Sequence, residues 1–464
     1  MGKFPNKIAI ILFYAVICSC AFASWNQGQK ITASDGATGD NFGMAVSLSG
    51  DYLMIGTPYD VNSGKTCGTV YVYKYNAGTW AKHSILVSSD SANNDRFGSA
   101  VCVKGNQAIV GSYYKGSQKG QAYIFTFSST TSKWLQTAIL SAPSPTNYDQ
   151  FGFSVAIDGD YAMAGTPQDD ENASNSGSVF VYKKNLSGVW SYSAICTASD
   201  YELSAYFGCA IAMADPYAVI GARNADYSGI AAGGGAYVFK RSGSSWSQLA
   251  RLSVSGIAMN DHFGKSAAIS SNGQYIVVGS PDDSNGSGLV RDGSAYVYKL
   301  VGSTWVQVQK LRAKDAASYD HFGSAVAIDG NTIAISAPRD SDTDGGTRAV
   351  YIFTLSGSTW VQTQKIIVLI GTLGSGVSID DDLIAIGAYL DDTKGSDAGA
   401  AYIYNDCPAD ITGDCMVNML DLKVLAEQWL SAPSIPSADI YPIGGDNWVG
   451  FKDFAELAGY WGQY

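Results

Sequence analysis

The segment 410–421 carries the clearest chemistry in this chain of 464 residues. Its positions 1, 3, 5, 9 and 12 hold oxygen-bearing side chains and its position 7 offers a backbone carbonyl, namely Asp410, Thr412, Asp414, Asn418, Asp421 and Met416. This spacing is that of a twelve-residue calcium loop, and hard oxygen ligands favour Ca²⁺ over softer metals. The sequence therefore predicts a Ca²⁺ site over this segment.

A second, less regular loop lies between Asp439 and Asp453. It is longer than a twelve-residue calcium loop, so Asp439 aligns only from its start, and Asp446 and Asp453 only from its end. Apolar residues at helical spacing follow both loops: Leu422, Leu425, Ala426 and Trp429, then Phe454, Leu457, Ala458 and Trp461. The pattern predicts a duplicated loop–helix unit whose second site binds calcium weakly or not at all.

A third candidate for calcium is the run Asp340, Asp342 and Asp344, which Gly345 follows. It matches the first half of a calcium loop. The twelfth position from Asp340 is Tyr351, which cannot supply the closing carboxylate. The sequence therefore favours a turn over a calcium site here.

Composition limits the other kinds of chemistry. The net charge is −12, from 29 Lys and Arg against 41 Asp and Glu, which argues against a nucleic acid as partner. Only four of the acids are Glu, and Asp favours turns where Glu favours helices, so composition indicates an all-β chain. No signature of a nucleophile elbow, a zinc protease or a phosphate-binding loop appears. The many aspartates leave open a pair of carboxylates set for glycoside hydrolysis.

Most of the chain before residue 406 consists of a unit that repeats seven times. A tryptophan recurs every 54 to 59 residues, at Trp25, Trp80, Trp134, Trp190, Trp246, Trp305 and Trp360. A Phe-Gly pair follows each of the first six tryptophans, beginning at Phe42, Phe97, Phe151, Phe207, Phe263 and Phe322. After the seventh tryptophan the pair is Leu373-Gly374. Each unit reads as four short strands joined by turns, in the sixth over 322–328, 332–337, 349–354 and 360–366. Seven such units predict a seven-bladed β-propeller.

The two ends of the array predict how the ring closes. Residues 25–33 form a lone fourth strand with no unit before it, and the seventh unit stops after Tyr404 without a Trp strand of its own. The N-terminal strand should therefore complete the last blade, which removes exposed sheet edges.

These units resemble the FG-GAP repeats of the integrin α-subunit propeller. The second half of that motif stands at Gly56-Thr57-Pro58, Gly165-Thr166-Pro167, Gly279-Ser280-Pro281 and Ser336-Ala337-Pro338, and it is lost in the other three units. The resemblance implies an extracellular ligand-binding propeller over about residues 25–405. That family often carries a calcium loop between the two halves of the motif, but a tight turn stands there in this chain, so those calcium sites are not expected.

The propeller loops predict two faces of unlike charge. Aspartates dominate the loops between strands 2 and 3 and between blades, whereas lysines and arginines dominate the 3–4 hairpins. We expect one acidic and one mildly basic face. In five units an Asp stands two residues before the Phe and should cap a turn. The repeated Trp should pack within the blades, and His262 and His321 should be loop residues.

The duplicated loop–helix unit of residues 406–464 resembles the dockerin domain of bacterial extracellular multi-enzyme assemblies. By resemblance it docks onto a cohesin-like receptor and takes part in polysaccharide breakdown. The positions that read the partner in that family correspond to Met419 and Leu420 in the first repeat, and to Phe451 and Lys452 in the second. The family often has Ser-Thr there, so the receptor need not be a standard cohesin.

The first 23 residues read as a signal peptide. Lys3 and Lys7 precede an apolar run, and Ala21-Phe22-Ala23 offers a cleavage site, with lipidation at Cys20 as an alternative. We therefore expect the mature chain, propeller 24–405 and module 406–464, to be exported, and to be cell-associated if lipidated. No transmembrane segment is predicted. Among the remaining cysteines, Cys407 and Cys415 should form a disulfide, and Cys196 with Cys209 is a weaker candidate pair.

Three functions fit the sequence. The first is a secreted, non-catalytic protein whose propeller binds a glycan or a protein and whose C-terminal module docks to a receptor. The second is a propeller-fold polysaccharide lyase or glycoside hydrolase, and the third is a cell-surface adhesion protein.

Overall fold

The computed structural model describes residues 25–76, 78–284, 288–340, 348–368 and 376–406. Residues 27–405 form one compact unit. This unit is built from seven four-stranded antiparallel sheets that follow one another along the chain. The fold is therefore the all-β, seven-bladed propeller that the repeats predict.

The strands run in chain order with the inner strand first in each blade. The first blade holds β2 (Ala45–Ser49), β3 (Tyr52–Thr57), β6 (Thr69–Asn76) and β7 (Thr79–Leu86), with a small hairpin β4 (Val61–Asn62) and β5 (Lys65–Thr66) between β3 and β6. The second holds β8 (Ala100–Lys104), β9 (Gln107–Ser112), β10 (Gln121–Ser128) and β11 (Lys133–Leu140), with the four-residue turn α1 (Lys115–Gln118) after β9. The third holds β12 (Ser154–Asp158), β13 (Tyr161–Thr166), β14 (Ser178–Lys184) and β15 (Trp190–Cys196).

The remaining blades repeat this order. The fourth holds β16 (Phe207–Ala214), β17 (Tyr217–Ala222), β18 (Gly235–Ser242) and β19 (Ser245–Arg251), and the fifth holds β20 (Ser266–Ile269), β21 (Tyr275–Ser280), β22 (Ser294–Val301) and β23 (Thr304–Leu311). The sixth holds β24 (Val326–Asp329), β25 (Thr332–Ala337), β26 (Arg348–Ser356) and β27 (Thr359–Val368). The seventh holds β28 (Val377–Asp380), β29 (Leu383–Ala388) and β30 (Ala400–Asp406), and its fourth strand is β1 (Trp25–Ile31).

The N-terminal strand β1 closes the ring as predicted. It pairs with β30 as the outer strand of the seventh blade, and Tyr404 there donates to the Gln27 side chain over 3.4 Å. Gln29 also exchanges two hydrogen bonds with the backbone of Trp80 in the first blade, at 3.0 and 2.8 Å. The same strand thus ties the first blade to the last.

The Phe-Gly motif is a joint between neighbouring blades. The glycine that ends each second strand packs directly against the carbonyl of the next blade's Phe-Gly glycine, so a Cβ there would lie only 1.9 to 2.1 Å from that oxygen, at Gly56, Gly111, Gly165, Gly221, Gly279 and Gly387. The last of these meets Gly43 of the first blade. In the sixth blade Ser336 stands at this position, and its expected partner Gly374 lies outside the described residues. In these six blades the glycine is therefore required by the close approach of the next blade, which leaves no room for a Cβ.

The predicted start of the first strand in the sixth unit is wrong because of this joint. The sixth unit's first strand begins at Val326 and not at Phe322. Phe322 instead makes an isolated parallel bridge to Gly293 of the preceding blade, and Gly323 has φ +95°, which breaks the extended backbone.

The repeated tryptophans are packing residues, as predicted, and they lie between neighbouring blades. Each begins an outer strand and is at most 9% exposed. A tyrosine that opens the second strand of the preceding blade meets the tryptophan edge-on, with ring centroids 5.3 to 5.9 Å apart, in the pairs Tyr52–Trp134, Tyr161–Trp246, Tyr217–Trp305 and Tyr275–Trp360. This burial leaves these tryptophans no role as an exposed sugar platform.

The weaker disulfide prediction is wrong. Cys196 and Cys209 are both free thiols. Cys196 ends the outer strand β15, whereas Cys209 lies on the inner strand β16 of the next blade, where its thiol contacts the carbonyl of Gly264 at 3.5 Å. The connection between two blades runs from an outer strand to an inner strand, so the two cysteines at its ends are separated by the width of a blade. The predicted Cys407–Cys415 bridge lies outside the described residues.

Candidate functional site

A channel runs through the ring along the inner strands. One end opens on the face that carries the Phe-Gly motifs, here called the Phe-Gly face, through a cavity of about 330 Å³. The opposite end holds a cavity of about 260 Å³. We call the first cavity the Phe-Gly mouth, and its lining includes Met44, Ser99, Tyr113, Phe153, Cys209, Lys265 and Ser324.

The Phe-Gly mouth is lined by one repeat position in particular. The residue after each Phe-Gly pair lies at the start of an inner strand and faces the cavity, at Met44, Ser99, Phe153, Cys209, Lys265 and Ser324. The residue before each pair has a left-handed φ of 55° to 63°, at Asn41, Arg96, Gln150, Tyr206, His262 and His321. A fixed backbone joint therefore presents side chains that differ from blade to blade, which is how a rigid scaffold builds a specific surface.

The aspartate that stands two residues before the Phe in five blades caps a turn, as predicted. In five blades its carboxylate accepts a 2.6 Å hydrogen bond from the backbone N–H three residues earlier, at Asp40, Asp95, Asp149, Asp261 and Asp320. All five are at most 5% exposed. These acids are committed to the fold and contribute little charge to the surface.

Burial makes one of these caps sensitive to pH. It raises the pKa of Asp261 to about 6; the amide of Ala258 opposes this increase, and the Asp283 carboxylate adds to it. A carboxyl whose pKa is higher when folded than when unfolded costs stability as pH rises from about 4 to about 6.

We therefore expect Asp261→Asn to stabilise the protein near neutral pH. The amide oxygen can still accept from Ala258, but no buried charge has to form. The free energy of unfolding should rise by about 2 kcal/mol at pH 7.5 and stay nearly unchanged at pH 4. Urea unfolding of both proteins at the two pH values measures this, and the other buried acids cancel in the difference. An equal effect at both pH values would contradict it.

Two histidines share one aspartate at the rim of the mouth. His262 Nδ1 lies 2.6 Å from one oxygen of Asp282, and His321 Nδ1 of the next blade lies 3.1 Å from the other. Burial alone would raise the pKa of Asp282, but these two hydrogen bonds outweigh it and hold the pKa below its usual range. Both histidines are loop residues, as expected, and the structure adds that together they form an inter-blade clamp on Asp282.

Asp340 is also engaged within its blade. Its carboxylate is fully buried, accepts a 2.6 Å hydrogen bond from Tyr351 and pairs with Lys365 at 2.8 Å. Asp283 in the fifth blade and Asp391 in the seventh make the same kind of contact, with Tyr296 and Lys310, and with Tyr402 and Lys30. The lysine pairing argues against the calcium hypothesis for Asp340. Asp342 and Asp344 lie outside the described residues.

The two channel mouths differ in charge from the loops around them. On the Phe-Gly face, Arg96, Arg223 and Lys265 make no ion pair with any carboxylate of the described residues. The other mouth is lined by Asp158, Asp329 and Asp380, which accept backbone N–H groups of neighbouring turns. Loop acids on the Phe-Gly face fold inward as caps and partners, so the predicted acidic face is basic at its centre.

The C-terminal candidates cannot be placed in this geometry. The structure does not describe the predicted signal peptide or residues 407–464. The latter include the calcium loop 410–421, the second-loop residues Asp439, Asp446 and Asp453, and the predicted partner-binding residues Met419, Leu420, Phe451 and Lys452. Within the described ranges, no group of three or more His, Cys, Asp or Glu side chains is arranged to hold a metal ion. The same part of the chain has no helix with the length and apolar character needed to span a membrane.

The FG-GAP repeat family matches the chain over residues 25–73, 80–125, 134–182, 190–239, 246–298, 305–353 and 372–404. Human integrin alpha-11 is 29% identical over 113 residues, which is 23% of this chain and 10% of that protein. The chain thus spans about a tenth of this relative.

Two bacterial proteins are among the solved structures that align with most of this chain. The proposed 6-phosphogluconolactonase of Bacteroides uniformis aligns over 73% of this chain and 90% of its own, with 14% identity and a TM-score of 0.49. A protein from Lactobacillus plantarum aligns over 69% and 84%, with 14% identity and a TM-score of 0.47.

Proposed function

Because the chain belongs to the FG-GAP repeat family, we propose that it is a ligand-binding propeller that takes a glycan or a protein at the Phe-Gly mouth. One observation carries this proposal. The backbone joint of the mouth is the same in the six blades where the structure describes it, while the side chains that it presents differ in size, charge and aromaticity. Side chains that differ while the backbone stays the same are typical of a ligand-binding surface.

Two aromatic residues offer a direct test of the mouth. Tyr113 and Phe153 both line the cavity, with ring centroids 5.6 Å apart. A glycan array probed with the mature protein should show bound glycans, and Tyr113→Ala combined with Phe153→Ala should weaken that binding at least tenfold. Tyr192→Ala is the matched control, because Tyr192 is 47% exposed on the outer strand of the third blade.

A reducing-sugar assay on the bound glycans separates binding from turnover. We expect no release of reducing ends, and release would favour the lyase or hydrolase alternative. Binding that survives the double variant would show that the mouth is not the binding site.

We further propose that the C-terminal module docks the propeller onto a cohesin-like receptor outside the cell, in a system that degrades polysaccharide. Support comes from the sequence: the calcium-loop spacing of 410–421, the two loop–helix units and the signal-like N-terminus. The proposed roles of Met419, Leu420, Phe451 and Lys452 follow from the same resemblance.

Calcium should bind the full mature chain through this module. Asp410, Asp414 and Asp421 would place three carboxylates around one ion, and their mutual repulsion is relieved only when the ion is present. Isothermal titration calorimetry should show a Ca²⁺ site whose affinity falls at least tenfold in Asp410→Ala and far less in Asp446→Ala. Equal effects of the two variants would contradict the assignment of the first loop as the main site.

A further inference from the structure

The fifth blade places one lysine in the Phe-Gly mouth without a partner. Lys265 follows Phe263-Gly264 and lines the cavity. Its side chain makes no hydrogen bond or ion pair with the described residues, although most other buried or half-buried lysines near this face have one, as Lys30, Lys310 and Lys365 do. A half-buried cation without a counter-charge is costly, and this is unexpected in a chain with a net charge of −12.

A second unpaired cation lies beside it. Arg223 follows Ala222 at the end of β17, and the joint brings Ala222 against Gly264, since a Cβ on Gly264 would lie 3.3 Å from the Ala222 nitrogen. The guanidinium of Arg223 stacks on the ring of Tyr206 at 5.1 Å and has no carboxylate partner among the described residues. Burial lowers the pKa of Lys265 and Arg223 lowers it further, while Cys209 and Asp282 oppose this. The two cations therefore repel each other in a partly enclosed site.

The nearest carboxylate is already in use. Asp282 accepts from both His262 and His321, and Arg291 lies 3.7 Å from it. Its single charge is thus shared among several donors. The surplus of positive charge at Lys265 and Arg223 persists, and an anionic group from outside would neutralise it.

Two aromatic residues line the same cavity. Tyr113 and Phe153 meet edge-to-face there. The mouth thus offers Lys265 and aromatic rings within about 330 Å³, and Arg223 lies next to it, directly after β17. A sugar acid has both matching parts, a carboxylate for Lys265 and Arg223 and a ring whose C–H groups pack on aromatic faces.

We propose that the Phe-Gly mouth binds a uronic acid residue of an acidic polysaccharide, with its carboxylate between Lys265 and Arg223. This proposal rests on the proposed function of the mouth as the ligand site and adds the chemical class of the ligand. The cations supply affinity for the carboxylate, and Tyr113 and Phe153 supply selection for a sugar ring over a peptide.

Isothermal titration calorimetry of the mature chain tests this with three probes: oligogalacturonate, a neutral galactose oligomer of equal length, and hexaglutamate. We expect oligogalacturonate to bind more tightly than the other two. Lys265→Gln and Arg223→Gln should each weaken it at least tenfold, as expected for loss of a charge-assisted hydrogen bond. Lys240→Gln is the control, because Lys240 is exposed on a 3–4 hairpin of the opposite face and should leave affinity unchanged.

A second measurement does not depend on the ligand. Lys265→Gln removes an unpaired charge, so the melting temperature of the ligand-free protein should stay the same or rise, whereas loss of a paired lysine lowers it. A lower melting temperature for Lys265→Gln would overturn the unpaired state of Lys265.

The outcomes separate this inference from the proposed function. Tighter binding of hexaglutamate would assign the mouth to acidic peptides and overturn the sugar-acid proposal. Glycan binding that depends on Tyr113 and Phe153 but not on Lys265 or on the carboxylate would overturn it too, while leaving the mouth as the ligand site. Array binding that depends on neither pair would overturn both.

Discussion

Removal of β1, residues 25–31, should abolish the cooperative fold of the propeller. The seventh blade would lose its outer strand, and the free edge of β30 would be exposed to pairing with other chains. The ring would also lose the Gln29 contacts that tie the first blade to the last. Propellers rely on closure, so we expect a loss comparable to the whole stability of a domain, about 5 kcal/mol or more.

One residue of β1 shows why a strand from the far end of the chain is needed. Lys30 pairs at 2.8 Å with Asp391, whose carboxylate is fully buried. The sixth blade obtains the equivalent lysine, Lys365, from its own outer strand β27. Without β1 the buried Asp391 would lose its counter-charge, which is strongly unfavourable.

Single substitutions should destabilise the propeller less than deletion of β1 does. Lys30→Met keeps the strand and removes only the ion pair, which should cost about 3 kcal/mol, because Lys30 is partly exposed. Lys365→Met should cost a similar amount in the sixth blade. Urea unfolding followed by far-ultraviolet circular dichroism ranks the three proteins. A truncated chain that unfolds at the midpoint of the full mature chain would show that β1 does not close the ring.

The sequence predicts this architecture well because a repeat records it many times. A single blade cannot bury both faces, so most copies carry the same Trp, the same Phe-Gly joint and the same Asp cap, and their period is visible in the chain. The lone strand before the first unit and the missing strand after the last are visible in the same way. Each of these features involves residues that are close in the chain, so it can be recognised in the sequence.

The charge of the mouth could not be predicted in that manner. Asp283 and Asp340 look like surface acids in loops, and only the folded blade shows that Lys310 and Lys365 reach them from the outer strands. His262 and His321 occupy a variable repeat position, and their meeting at Asp282 requires two blades to pack side by side. Periodicity assigns residues to a loop, but which charges remain unpaired depends on contacts between loops.

The glycine of the inter-blade joint makes the strongest demand on a single side chain. Gly221 is the penultimate residue of β17 and has no positive φ, but a Cβ there would lie 2.0 Å from the carbonyl oxygen of Gly264. That oxygen belongs to the backbone of the next blade and cannot rotate away. The only relief is to move two blades apart, which would disturb the packing between β17 and β20 along the channel.

Gly221→Ala should therefore destabilise the propeller by about 3 kcal/mol, the upper end of the usual cost of overpacking. Gly105→Ala is the matched control, because Gly105 has φ +56° in the β8–β9 turn and open space around it, so its cost of about 1 kcal/mol arises from backbone strain alone. The comparison separates a clash without strain from strain without a clash. Urea midpoints at equal slope measure both changes. If Gly105→Ala cost as much as Gly221→Ala, the conformational freedom of glycine, and not its missing side chain, would explain why the joint requires it.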